Sequence, residues 1–227
     1  MLNFSKKFTL STFILIILTI ILFIASFFMP KEYSFENHFL ENLEVVVLLI
    51  GFIIALSKTL YTKLYDCIKF YIAFSIIFFL MAMRELSWGR VFYPIGINDN
   101  GEEIFIKVQE LWYFDILYPL IAILVIIALG IIGYFYHQCT IKGIYWNIPL
   151  IEVIFFIIMS LLSQCVFDRG LIDYIDIYNQ NLEECSELLA YIALLRICYK
   201  IDFTRHYIRI NYFKMWFSVK RWGNIDR

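Results

Sequence analysis

The chain has 227 residues, of which 62% are hydrophobic, 19% are aromatic and only 17% are charged. Soluble globular domains have about 45–50% apolar and about 25% charged residues, so this composition excludes an ordinary soluble domain. With a mean hydropathy of +0.75 and a net charge of −1, the chain is predicted to be a polytopic membrane protein.

Six segments are long and apolar enough to predict membrane-spanning helices, since about 20 helical residues cross the ~30 Å hydrocarbon core. The first, FTLSTFILIILTIILFIASFF, follows Lys6 and Lys7. Its apolar stretch is too long for a signal peptide and no small-x-small cleavage site follows it, so it is predicted to stay as a signal anchor. We predict an all-α six-helix bundle over residues 1–200, with spans at 8–29, 38–57, 67–85, 114–136, 148–166 and 182–200.

The longest predicted loop, 86–113, contains the runs VFYPIGI and EEIFIKV on either side of Asn98 to Gly101. Both runs are β-prone, and the Asn-Gly pair favours a tight turn between antiparallel strands. The loop is therefore predicted to form a β-hairpin above the helix ends.

Basic residues indicate the orientation, because Lys and Arg accumulate on the cytoplasmic side of membrane proteins. If the N-terminus is cytoplasmic, 14 of the 19 basic residues lie on that side and 16 of the 20 acidic residues lie on the other. We therefore predict six spans with both termini cytoplasmic and the loop 86–113 outside, in a membrane such as the bacterial inner membrane.

Acidic residues gather where the predicted helices meet the outer face. The second segment is too short to span without Glu41 and Glu44, and the sixth has only 188–195 as an uninterrupted apolar run, next to Glu187. Ionisable groups in a membrane are costly and normally face the bundle interior, paired with one another. Helices two and six are therefore predicted to be central, with helices one and four facing lipid. The outer ends are predicted to form a polar intramembrane cluster of Glu41, Glu44, Arg84, Glu85, Arg169, Glu184 and Glu187.

This cluster has a structural and a functional interpretation. Acids in the first turn of a helix are favoured by its dipole, and Asn181 followed by Glu184 is typical of a helix N-cap. Alternatively, Arg84 turns inward to bond Glu44 or Glu187, and the carboxylates take up a proton or a cation. No cofactor is predicted. A divalent metal is a minor alternative, with His38, Glu41, Glu44 and Glu187 as its candidate ligands.

Two other pairs of residues are placed close together by the predicted topology. Glu152 and Arg196 each lie about one turn inside a helix on the cytoplasmic side, and a buried pair between them is interpreted as a structural lock in preference to a functional proton relay. Cys165 and Cys185 both lie near the outer face, where they either stay free or form a disulfide in an oxidising compartment.

The segment 201–227 is predicted to be a cytoplasmic tail rich in bases and aromatics, including RHYIRINYFKMWFSVKRW. Such a segment binds anionic lipid, with its aromatics inserted and its bases near the headgroups, or contacts a cytosolic protein. Nucleic-acid binding is not predicted, because the tail follows a membrane helix directly and forms no recognisable binding module.

These patterns favour a small membrane protein whose acidic outward-facing site handles a cation, a proton or a polar lipid headgroup, as a transporter would. One alternative is a membrane-embedded sensor or anchor subunit that works with a cytosolic partner. Another is a membrane-embedded enzyme that modifies a lipid. No residue is predicted to be catalytic, and an oligomer is compatible with the sequence.

Overall fold

The computed structural model describes residues 2–5, 8–62, 65–98, 101–142, 144–171 and 178–205. It is mostly helical, as the composition predicted. The six α-helices are α1 (Leu10–Ser26), α2 (Phe39–Tyr61), α3 (Tyr65–Glu85), α4 (Phe114–Lys142), α5 (Leu150–Leu161) and α6 (Asn179–Lys200).

Among the described residues, four helical stretches are long and apolar enough to cross a membrane: Lys31–Tyr61, Cys67–Glu85, Phe114–Lys142 and Leu150–Phe167. The last of these combines α5 with a π-helical continuation, Leu162–Phe167. Helix α1 is also apolar but has only 17 residues. The prediction of a helical membrane protein is therefore confirmed.

Helix α6 is the most enclosed helix, although it is the least apolar of the six. It packs against α2, α5 and α1, while α3 packs against both α2 and α4. Thirteen of the 22 residues of α6 are buried, against four of the 29 residues of α4. Most of α6 is therefore enclosed by other parts of the protein, whereas most of α4 lies on the outside of the bundle.

Helices α2 and α3 pack most closely where Gly51 faces Phe78. A Cβ atom at position 51 would lie 2.4 Å from the Phe78 ring, so no other residue fits there without movement. Phe78 and Leu48 are fully buried at this contact. This close packing holds the two helices that carry Glu44 and Glu85 side by side.

A three-stranded sheet closes one end of the bundle. Strand β4 (Ile144–Pro149) pairs in parallel with β1 (Leu2–Ser5) and antiparallel with β5 (Asp202–Arg205). Trp146 of β4 lies opposite Phe203, and its ring centroid is 4.9 Å from that of Phe135. No pattern in the sequence predicted this sheet, and residues 148 and 149 were expected in a span and 201–205 in the tail. The rest of the predicted tail, 206–227, lies outside the described residues.

The opposite end of the bundle carries the predicted β-hairpin. Strand β2 (Pro94–Ile97) pairs antiparallel with β3 (Glu103–Phe105), which confirms the hairpin. Its turn includes two residues, 99 and 100, that lie outside the described part of the chain. We call the two ends of the bundle the sheet end and the hairpin end.

The six helices run alternately between these two ends. Strands β1, β4 and β5 directly precede α1, connect α4 to α5 and follow α6, respectively. Lys58, near the end of α2, donates to the carbonyl of Tyr199 at 2.6 Å, and Tyr71, near the start of α3, donates to that of Ile201 at 3.1 Å. The connection between α2 and α3 therefore lies at the sheet end as well.

Candidate functional site

Three glutamates from three helices meet near the hairpin end of the bundle. Glu44 lies in the second turn of α2, Glu85 ends α3, and Glu187 lies two turns into α6. Each offers one carboxylate oxygen, and these oxygens all lie within 4.8 Å of one another. All three residues were predicted to belong to the polar cluster. We call Glu44, Glu85 and Glu187 the carboxylate cluster.

Arg84 is the cation that contacts this cluster. Its Nε donates to Glu85 Oε1 at 3.0 Å, and its Nη2 donates to Glu187 Oε2 at 2.8 Å. From the sequence, either Glu44 or Glu187 could be the partner of Arg84, and the structure shows that it is Glu187. The Arg84 side chain is 50% exposed, so the guanidinium bridges the two carboxylates from the rim.

Tyr191 is a member of the site that sequence reasoning missed. Its hydroxyl donates to Glu85 Oε1 at 2.6 Å and accepts from Arg84 Nη2 at 2.8 Å. It lies four residues after Glu187, on the same face of α6. The four-residue spacing from Glu187 was the only feature of the sequence that could have indicated Tyr191. Tyrosine is common in membrane helices, so this spacing alone did not distinguish it.

The π-helical segment contributes two further donors that the sequence did not reveal. Ser163 Oγ donates to Glu187 Oε1 at 3.0 Å, and the Gln164 amide donates to the same oxygen. Both residues lie in the segment Leu162–Phe167, whose turn is wider than that of a regular α-helix. The backbone N–H of Asp168 bonds the Ser163 carbonyl at 3.0 Å, five residues back, as a π-helix requires.

Glu44 differs from the other two members of the cluster. It is fully buried, and neither of its carboxylate oxygens has a hydrogen-bond partner among the described residues. A buried polar group without a partner costs about 1–3 kcal/mol, and more if it is charged. Glu44 therefore requires something to neutralise it, either a proton or a cation.

A pocket of about 80 Å³ opens beside the cluster. It is lined by Arg84, Glu187, Tyr191 and Gln164, with Met81 and Phe156 among its apolar neighbours. Of the three glutamates of the cluster, Glu187 lines this pocket, whereas Glu44 and Glu85 do not. An ion or a water molecule that enters the pocket meets Arg84 and Glu187 first.

The remaining residues of the predicted cluster and metal site have other environments. Glu41 accepts from the backbone N–H of Asn37 at 2.6 Å, and Glu184 interacts electrostatically with Glu44. His38 Nδ1 lies 2.9 Å from the carbonyl oxygen of Glu36. Arg169 is exposed and makes no ion pair with the described residues. Of the predicted metal ligands, Glu44 and Glu187 are in the carboxylate cluster, while His38 and Glu41 are not.

A strained turn fixes the end of α3 and hence the position of Glu85. Ser87, Trp88 and Gly89 all have positive φ values, of 44°, 57° and 92°. Such backbone is costly for residues other than glycine and persists only where its surroundings hold it. Tyr113 does so by donating from its hydroxyl to the Trp88 carbonyl at 2.8 Å. Burial, and secondly the nearby Tyr93, raises the pKa of this phenol, so it stays a donor.

Glu36 holds the other side of this turn. It accepts from Ser87 Oγ at 2.8 Å and forms an ion pair with Arg90. Two structural roles are therefore combined in one short stretch, residues 84–90. Arg84 contacts the carboxylate cluster and Glu85 belongs to it, while the rest of the stretch anchors the end of α3.

A second network of charges lies near the sheet end and includes the predicted pair Glu152 and Arg196. Arg196 donates to Glu152 Oε1 at 2.9 Å, Lys200 donates to the same oxygen at 2.5 Å, and Thr12 donates to it at 2.9 Å. Lys200 and Thr12 were not predicted as partners. We call these four residues the sheet-end network. It ties α1, α5 and α6 together.

Cys165 and Cys185, considered above as a disulfide pair, are both free in the structure.

Comparison of this chain with protein-family models, with curated proteins and with solved structures finds no match.

Proposed function

We propose that the chain is an integral membrane protein that crosses the bilayer six times, with both termini in the cytoplasm and the hairpin outside, in a membrane such as the bacterial inner membrane. The alternation of the helices between two ends supports an even number of crossings. The predicted topology, which assigns 14 of the 19 basic residues of the sequence to the cytoplasmic side, supports this orientation. Helix α1 is short, but the turn that follows it extends the apolar segment to Met29.

Labelling from one side of the membrane tests this topology. Glu103 is exposed on β3, and Asn224 lies near the C-terminus. A membrane-impermeant thiol reagent applied to intact cells should modify Glu103→Cys and leave Asn224→Cys unmodified until the membrane is opened. Equal modification of both cysteines in intact cells would refute the six-span orientation.

We also propose that the carboxylate cluster is the functional site and takes up a cation or a proton from the outer side. The observation that carries this proposal is Glu44, whose buried carboxylate points into the cluster without a partner among the described residues. Ionisable groups inside a membrane mark ion or proton sites more often than structural ones. Arg84 supplies one positive charge for three carboxylates, so two negative charges stay uncompensated if all three ionise.

Infrared difference spectroscopy of the protein in lipid tests this second proposal. The carboxyl and carboxylate bands should change when pH or cation concentration changes, and Glu44→Gln should remove part of that change. Glu103→Gln, on the exposed hairpin, is the matched control and should leave it intact. Identical difference spectra for the wild-type protein and Glu44→Gln would rule out Glu44 as part of a functional site.

A further inference from the structure

We infer that the carboxylate cluster binds a divalent cation of the hard, oxygen-preferring class to which Mg²⁺, Ca²⁺ and Mn²⁺ belong. This inference rests on the proposed function and specifies the ligand of the same site. The ligand atoms would be carboxylate oxygens of Glu44, Glu85 and Glu187.

The available donor atoms select the class of cation. The hydroxyl groups of Tyr191 and Ser163 lie next to the carboxylates. The carboxylates and these hydroxyls all offer oxygen as the ligand atom for a cation. The thiol of Cys185 and the imidazole of His38 are not among the grouped ligand atoms of the described residues. Oxygen donors suit hard divalent cations, whereas zinc and copper favour sites that include nitrogen or sulfur.

The spacing of the oxygens fits a single ion. Two ligands on opposite sides of a calcium ion lie about 4.6–5.2 Å apart, because each Ca–O distance is about 2.3–2.6 Å. The three carboxylates each place an oxygen within 4.8 Å of the others, so all of them can bind one ion without movement of a helix. Both oxygens of Glu44 are free of hydrogen bonds to the described residues, which allows bidentate coordination.

The charge of the site favours a divalent over a monovalent ion. Three ionised carboxylates carry three negative charges, of which Arg84 compensates at most one, so a divalent cation leaves less unbalanced charge than a monovalent one whether or not Arg84 stays. A monovalent ion would leave a net charge buried between α2, α3 and α6. Glu184 interacts electrostatically with Glu44 and adds to the negative potential.

Arg84 and the cation would share the same carboxylates. Arg84 bonds Glu85 and Glu187 from the pocket side and is half exposed, so it can move outward without crossing the core. A cation that enters through the pocket would replace the guanidinium as the counter-charge of Glu187. Binding of the ion and pairing of Arg84 are therefore expected to compete.

The test is a titration of the purified full-length protein in detergent, after treatment with a chelator, with MnCl₂, CaCl₂ and MgCl₂. NaCl at matched ionic strength is the control salt. Thermal stability should rise with saturation, and electron paramagnetic resonance should count one bound Mn²⁺ per chain. In Glu44→Gln the affinity should fall roughly tenfold or more, since loss of even an outer-shell partner of a metal ligand costs 10–100-fold. Glu103→Gln should bind as the wild type does.

Arg84→Met distinguishes this site from adventitious binding. Because it removes the competing cation, the variant should bind Mn²⁺ more tightly than the wild type. If Glu44→Gln does not fold, Glu85→Gln and Glu187→Gln provide the same measurement, and each should weaken binding.

Each of the other outcomes has a defined meaning. Saturable binding that is unchanged by all three glutamate substitutions would place the ion elsewhere and overturn the inference. A wild-type infrared response to pH without any divalent binding would leave the proposed function standing, with the proton as its ligand, and would overturn the divalent assignment alone. Absence of both responses would overturn both proposals.

Discussion

At the sheet end one carboxylate, that of Glu152, accepts hydrogen bonds from two cationic side chains and a hydroxyl. At the hairpin end three carboxylates share one guanidinium, and Glu44 has no partner among the described residues. Both groups lie on α6 and on its neighbours, nine residues apart at Glu187 and Arg196.

This difference separates two uses of buried charge. A buried carboxylate with a full set of partners stabilises the fold mainly because removal of one of those partners leaves an uncompensated buried charge, which costs free energy. A set of carboxylates with too few counter-charges is left with unbalanced charge, which a ligand can neutralise. The sheet-end network therefore fits the role of a structural lock, whereas the carboxylate cluster fits that of a binding site.

The largest effect on stability is expected from Glu152→Gln. The substitution leaves Arg196 and Lys200 near the sheet end without their counter-charge, and removal of one partner from a buried pair costs about 3–5 kcal/mol. The free energy of unfolding, measured by titration with a denaturing detergent in mixed micelles, should fall by this amount. A change in the free energy of unfolding close to zero would contradict the structural role assigned to the sheet-end network.

A smaller loss is expected from Arg84→Ala. The side chain is half exposed, so solvent screens the charge and the cost should be about 1–2 kcal/mol rather than that of a fully buried pair. A double-mutant cycle with Glu187→Gln should show coupling, because Arg84 and Glu187 are 2.8 Å apart. A cycle with Glu44→Gln should show less coupling, because no hydrogen bond joins Arg84 to Glu44 among the described residues. Equal coupling in both cycles would contradict the arrangement described above.

Ser163→Ala should cost about 1 kcal/mol, because it removes one donor to Glu187 while the Gln164 amide remains. The same unfolding titration measures it. Ser160→Ala, one turn earlier and beside the same pocket, is the matched control and should have little effect. A larger loss from the control would mean that packing, rather than the bond to Glu187, accounts for the change.

The smallest effect is expected from Glu44→Gln in the presence of a chelator. The substitution removes a carboxylate that has no protein counter-charge of its own, so stability should stay within about 1 kcal/mol of the wild type or rise. Glu44→Gln and Glu152→Gln make the same chemical change at opposite ends, and the contrast between them is the sharpest test of the comparison. A loss as large as that of Glu152→Gln would indicate that Glu44 has a structural partner.

The helical membrane fold was predictable because its signals are local. Apolar runs of about 20 residues mark spans wherever they occur, and the predicted span 67–85 lies close to α3, Tyr65–Glu85. The hairpin was predictable from one Asn-Gly turn. The sheet was not, because Leu2 pairs with Trp146 and no local pattern indicates a partner so distant in sequence.

The candidate site was predictable in its charges but not in its neutral members. Charged residues inside apolar segments are conspicuous, and Glu44, Arg84, Glu85 and Glu187 were identified in this way. Tyr191 carries no such signal, and neither do Ser163 and Gln164, which lie in a π-helical segment. Arg169 has the same charge as Arg84, and only the three-dimensional structure separates the two.

The π-helical segment Leu162–Phe167 amounts to a one-residue insertion in α5, since a π turn holds about one residue more than an α turn. Because the π turn absorbs that extra residue, deletion of a single residue there would allow a regular α-helix and leave the flanking turns in the same orientation. The rearrangement would fall within the segment itself, where Ser163 and Gln164 donate to Glu187. Among related sequences, the length of this segment would therefore show which proteins keep the complete set of donors, even where the side chains themselves are the same.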